Sequence, residues 1–185
     1  MIRATWEGPD LRAGTDMEET LVNATLPLVD RTDREYLEME AMLMAFIEDV
    51  RSEATAIDPL IRLRQLAAAH VRWRLEHPAI AEVFDLEIGA SARVNRLPDE
   101  HRRRVRAIKR MYIDELRSIL KDGRRRGTFH FEDVRVTAFA IVTLCGSAHT
   151  WYDPDGDLTV DEVCAMYADY ATGLVQAPLR AAAPR

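Results

Sequence analysis

Between Val136 and Tyr152 the chain carries no Asp, Glu, Lys or Arg, and apart from the Cys145 thiol His149 is the only titratable group before Tyr152. A helix that is apolar around its whole circumference has to be covered on every side. One face can meet the chain's own core, but the other needs a second layer or a second subunit. Asp153-Pro154-Asp155-Gly156 then makes a turn, and a second helical pattern runs on to Gly173. Two charge-poor helices joined in this way form a hairpin, which predicts a seam between two copies of the chain. The expected seam uses Ile141, Cys145, Ala148 and Tyr152 from the first helix. From the second it uses Val163, Met166, Tyr167 and Tyr170.

The remaining composition fits a single helical domain. Of 185 residues, 48% are hydrophobic and 30% charged, enough for a sizeable core. Only 7% are aromatic, which argues against a β-sandwich or barrel. A net charge of −6 gives no global attraction to nucleic acid or acidic lipid. No apolar run approaches ~18 residues and the start does not resemble a signal peptide, so a cytoplasmic protein without a membrane partner is expected. Cys145 and Cys164 both fall in helical patterns, where a reducing compartment makes them small buried hydrophobes. Neither a metal nor a cofactor is expected.

Taken in order, residues 1–32 are a short, poorly defined segment interrupted at Gly8-Pro9, Gly14 and Pro27. Within residues 1–30, Arg3 and Arg12 stand against six acids, the wrong sign for gripping phosphates. Thr32-Asp33-Arg34-Glu35 has the form of a capping box and opens a helix that fades near Ala54. Asp58-Pro59 starts the next, with Leu63, Leu66, Ala67, His70 and Val71 inward and Arg62, Arg64, Arg72 and Arg74 mainly on the other side. His77-Pro78 ends it, and a short helix is expected over Ala79 to Ile88.

Pro98 opens the longest polar helix, with Gly123 expected as its C-cap. From Leu97 to Gly127 eleven Lys and Arg face five acids, which reads as a solvated surface or as a grip on an anionic ligand. Asp133 caps the charge-free helix, and Thr159-Val160-Asp161-Glu162 is a second capping box. Every segment is helical. Residues 33–176 therefore make one all-α domain, and 177–185 a disordered tail.

Little in this pattern supports catalysis. Ser147 lies near His149, but there is no Gly-x-Ser-x-Gly elbow and no acid placed to orient the imidazole. Asp153 to Asp157 superficially resembles a calcium loop, yet Cys164 stands where the bidentate glutamate belongs. No catalytic residue and no enzymatic activity are expected.

At the hairpin the residues resemble a known family. Ile141 to Ala148, Trp151-Tyr152, Pro154-Asp155-Gly156, Leu158 to Val163 and Gly173-Leu174 are similar to the C-terminal end of TetR-family transcriptional regulators. Ala69 to Pro78 and Asp122 to Ile141 resemble the same family, so the likeness runs from about Asp33 to Leu174. The Trp-Tyr and Pro-Asp-Gly version is similar to a branch that includes regulators of sterol and fatty-acid catabolism, some of which sense acyl-CoA thioesters. The resemblance implies a homodimer whose last two helices form a four-helix bundle. It also implies a pocket for a small hydrophobic or acyl-CoA-like effector. The pocket is expected between the helices starting near Asp58, Ala79, Pro98 and Asp133. Its expected lining is Trp73, Phe84, Ile88, Met111, Tyr112, Phe139, Thr143 and His149. The family's DNA-reading helix-turn-helix is not evident before Asp33. The expectation is a sensing and dimerising core, whose reader is missing by truncation or a mis-assigned start, or which acts by heterodimerisation.

Overall fold

A computed structural model describes residues 31–77 and 98–176. They form five helices and, among the described residues, no strand. These are α1 (Arg31–Glu53), α2 (Pro59–Glu76), α3 (Asp99–Arg125), α4 (Val134–Gly146) and α5 (Val160–Gln176), with a 3-10 turn at Ser147–Thr150 after α4. The compact unit described here begins at Tyr36, inside α1. Residues 1–30, the helix expected over Ala79 to Ile88 with Phe84 and Ile88, and the tail after Gln176 lie outside the described residues.

Helix α2 sits in the middle. It packs most extensively on α5 and also meets α3, α4 and the 3-10 turn. Leu63, Leu66, Ala67, Val71, Trp73 and Leu75 are all buried, so its apolar residues cover more than one side. The charge-free stretch is therefore a flank, while the centre is a helix with four arginines.

Those arginines link α2 to its neighbours. Arg62 pairs with Glu115 of α3 at 2.9 Å, and the same carboxylate takes Arg51 of α1 at 2.6 Å. Arg64 reaches Asp169 and Arg72 reaches Asp161, both on α5. Arg74, only 2% exposed, donates from Nε to the Gly146 carbonyl at the end of α4. The sequence pattern puts these four mainly on the other side of the helix from its apolar face; Arg62, Arg64 and Arg72 keep 41%, 41% and 44% of their side chains exposed, and Arg74 alone is buried. Helical spacing alone cannot distinguish a face bathed in water from one that meets acids on another helix.

The helix starts follow local chemistry. Asp58 Oδ1 accepts from the amides of Leu60 and Ile61, and Asp133 Oδ1 from those of Arg135 and Val136. The Arg135 guanidinium beside it, together with these amide bonds, holds the Asp133 carboxyl down at about 2. The Thr159 capping box is reciprocal: Glu162 Oε2 accepts from the Thr159 amide at 2.9 Å, and the Glu162 amide lies 3.3 Å from Thr159 Oγ1.

The end of α3 corrects an expectation. The helix runs through Gly123 to Arg125, and Gly127, with φ of 75°, makes the left-handed break. Gly123 has another role. The carbonyl of Gly123 accepts from the amides of Thr128 and Phe129, which folds the Phe129 ring back onto the glycine. A Cβ there would lie 2.0 Å from the ring, and Phe129 is only 1% exposed.

Gly123→Ala should therefore destabilise the domain despite a helix-propensity gain of about 1 kcal/mol. Overpacking of this kind costs about 1–3 kcal/mol, and the expected net effect is a thermal midpoint lowered by about 2–4 °C. An unchanged or raised midpoint in a melting curve contradicts this packing.

Candidate effector site in the helical core

Three helices bring aromatic rings to one point. Phe46 of α1 lies with its centroid 5.0 Å from His70, 5.0 Å from Trp73 and 5.1 Å from Tyr112. His77 stacks on the far end of Trp73 at 4.7 Å, across the last turn of α2. Phe46, Trp73 and Tyr112 are all buried.

Inside this cluster is a polar pair. His70 is fully buried, and its Nδ1 lies 2.8 Å from the Tyr112 hydroxyl. Burial and, secondarily, the nearby Arg74 charge lower the His70 pKa to about 3, so the imidazole is neutral at ordinary pH. Burial likewise raises the Tyr112 pKa well above its usual range, so its proton stays on.

These two facts assign the tautomer. A protonated phenol needs an acceptor, and His70 Nδ1 is the partner of the Tyr112 hydroxyl. Tyr112 therefore donates, Nδ1 is bare, and the single imidazole proton sits on Nε2. That Nε2 has no hydrogen-bond partner among the described residues. The opposite tautomer would leave both the phenol proton and Nε2 unpaired, which is worse. A buried unpaired donor costs about 1–3 kcal/mol.

A second polar group lies on α4. Thr143 Oγ1 is buried without a partner among the described residues, although the residue as a whole is half-buried. At the end of the same helix, His149 Nδ1 is 2.8 Å from the Gly146 carbonyl and 3.1 Å from Arg74 Nη2. A guanidinium can only donate, so the two contacts demand opposite protonation of the same nitrogen, and the shorter one is assigned as the hydrogen bond. His149 thus closes the end of α4. Ser147 Oγ donates to the Leu144 carbonyl, so this serine is not paired with His149 for nucleophilic chemistry.

The residues expected to line a pocket are therefore distributed over several places. Trp73 and Tyr112 share the aromatic cluster, His149 lies against Arg74, and Thr143 stands on α4. Met111 and Phe139 are instead exposed, at 43% and 56%. Phe46 and His70 belong to the cluster but are absent from the expected lining. The signal for Phe46 is its place on the inward face of α1, which from sequence alone reads only as core.

The expected seam residues divide similarly. Ile141, Cys145, Ala148 and Val163 are fully buried within one chain, and Tyr167 nearly so. Helix α4 has two apolar stripes, and Ala138, Ile141, Val142 and Cys145 form the inner one. Val136 and Phe139 lie on the outer stripe with Thr143. Sequence periodicity cannot choose between stripes that are both apolar. On α5, Tyr170 and Leu174 are exposed and Met166 half-buried, at four-residue spacing on one face. Trp151 Nε1 donates to the Tyr167 hydroxyl at 2.8 Å, and Tyr170 packs beside Tyr167.

Cys145 and Cys164 are both buried and form no disulfide, and burial pushes the Cys164 pKa up to about 11. Among the described residues no group of three His, Cys, Asp or Glu converges, and no helix is long and apolar enough to cross a membrane.

An all-helical domain with a flanking hairpin encloses, in its aromatic core, one polar pair. Residues 56–175 match the family described as "Tetracyclin repressor-like, C-terminal domain", and the chain belongs to it. The fold is similar to that of the TetR-family transcriptional regulator PfmR from Thermus thermophilus. That match has a TM-score of 0.66 and 22% identity, and covers 84% of this chain and 80% of that one. It is also similar to AibR in complex with isovaleryl coenzyme A and operator DNA, with a TM-score of 0.65, 22% identity and coverage of 82% and 78%. A tetR-family regulatory protein from Rhodococcus RHA1 matches with a TM-score of 0.64 at 21% identity, covering 88% and 86%. No curated protein matches the sequence. At these identities the solved structures speak for the fold alone.

Proposed function

We propose that residues 36–176 are the effector-sensing and dimerising domain of a transcriptional regulator, and that the effector is a hydrophobic molecule carrying a carbonyl, such as an acyl-CoA thioester. The observation that carries this reading is the unpaired Nε2–H of His70 amid Phe46, Trp73 and Tyr112. Ligand sites of this kind combine apolar walls with a few placed polar groups. A carbonyl oxygen is the acceptor that Nε2–H lacks, and an acyl chain suits the aromatic surroundings. The AibR complex with isovaleryl coenzyme A is consistent with such an effector on this fold. DNA reading belongs, in this proposal, to a helix-turn-helix outside the domain.

Acyl-CoAs of graded chain length should raise the melting midpoint of the wild type. At a hundredfold excess over Kd the stabilisation is about 2.7 kcal/mol. His70→Leu should bind the best of them at least tenfold more weakly, a loss of about 1.4 kcal/mol. If no acyl-CoA stabilises the wild type, the thioester reading fails. Equal binding by His70→Leu removes the histidine from it.

The dimer face in this proposal is the outer stripe of α4 and the outer face of α5, with Val136, Phe139, Met166, Tyr170 and Leu174. Exposed apolar residues on both helices of the hairpin support it, and Gly173 faces open space where a second helix could approach closely. Tyr170→Arg, at a position 55% exposed, should give a folded monomer by light scattering with unchanged helical circular dichroism. A variant that keeps a dimeric mass rules this face out.

A further inference from the structure

We propose that a cleft between the start of α2 and the end of α3 binds a phosphate-bearing small molecule through its pyrophosphate-like anionic group. The cleft has a volume of about 440 Å³ and is lined by Arg62 from α2 and by Ser118, Lys121, Asp122, Arg125 and Arg126 around the end of α3. That volume lies within the range of small-molecule sites, ~300–1,000 Å³.

The charge there is opposite in sign to the chain as a whole. Two carboxylates hold four arginines: Glu115 is shared by Arg51 and Arg62, and Asp122 by Arg125 and Arg126. Lys121 has no acid partner among the described residues. In the lining itself four cations, Arg62, Lys121, Arg125 and Arg126, face one carboxylate, Asp122, an excess of three, while Arg51 and Glu115 lie outside it and cancel. Asp58, which caps α2 beside the cleft, reduces it to two. This surplus sits in a chain of net charge −6.

One donor is also unmet. Arg62 Nε is buried with no acceptor among the described residues, although its Nη2 is engaged by Glu115. The macrodipole of α3 accounts for basic residues at its C-terminal end, but not for Arg62, which reaches the cleft from α2. Arginine forks suit phosphate oxygens, which accept two parallel hydrogen bonds. A phosphate group would complete shells that each carboxylate now divides between two guanidinium groups.

The site stands apart from the aromatic cluster and does not rest on the effector reading. Along α3, Ser118 to Arg126 lie about 9–21 Å beyond Tyr112 by helical rise. The same pyrophosphate chemistry occurs in free nucleotides and in the tail of coenzyme A.

Calorimetric titration of the full chain with pyrophosphate, at constant ionic strength, tests the proposal. Saturable binding, at least tenfold tighter than that of sulfate, is expected. Lys121→Gln combined with Arg125→Gln should weaken it at least tenfold without altering circular dichroism. Arg106→Gln combined with Arg110→Gln, outside the cleft, should not. Competition by unacylated coenzyme A or by ATP supports the site and identifies which source of the group it prefers. Binding no tighter than sulfate, equal loss in both double variants, or competition by duplex DNA alone overturns the proposal. Loss of pyrophosphate binding in the cleft variant, with acyl-chain dependence retained in that same variant, separates this site from the aromatic one.

Discussion

A helix enclosed by other helices cannot keep a bare guanidinium, and α2 carries four. Each is tied to a neighbour: Arg62 to α3, Arg64 and Arg72 to α5, and Arg74 to the final carbonyl of α4. The exposed Arg64 and Arg72 pairs contribute little individually to stability, because water and salt screen them, and the part-buried Arg62 pair is screened less. Their value is in register, since each fixes how far α2 sits along its partner. Arg74 is different, because a buried charge with its partner removed is costly. One of its contacts is the Gly146 carbonyl, which ties the core helix to the end of α4.

That arrangement leaves the interior polar at one more point. With Arg74 at one end of α2 and Glu115 holding Arg51 and Arg62 at the other, His70 lies between them in an aromatic shell. Tyr112 satisfies one nitrogen and the other is left as a donor without an acceptor among the described residues. A domain whose only task was to be stable would gain by replacing the pair together, His70 by leucine and Tyr112 by phenylalanine, because leucine alone would orphan the Tyr112 hydroxyl. Retaining it makes sense in a protein that completes its core with something it binds.

The architecture is largely legible in the sequence because its signals are local. Asp58-Pro59, Asp133 and the Thr159 to Glu162 box announce helix starts by short-range hydrogen bonds, and the structure has helices there. What is not legible depends on neighbours distant in sequence. Apart from Glu76 beside Arg72, the partners of the α2 arginines lie 53 and more residues away, so no local pattern shows what these side chains meet. The two apolar stripes of α4 are equivalent to any periodicity argument, and only tertiary packing shows that Ile141 and Cys145 face inward while Phe139 faces out. Gly123 reads as a terminator because glycine ends helices. Phe129 folds back onto it instead, a contact that no local rule contains.

His70 is a neutral imidazole whose Nε2 proton lacks an acceptor among the described residues. Nitrogen-15 spectra of the histidine side chains, recorded on the effector-free chain from pH 8 down to pH 4, test it directly. The expected result is one histidine that keeps its proton on Nε2 throughout, consistent with a pKa of about 3, and that Tyr112→Phe perturbs. A His70 signal that titrates near the ordinary value of about 6.5, or that carries its proton on Nδ1, would contradict it.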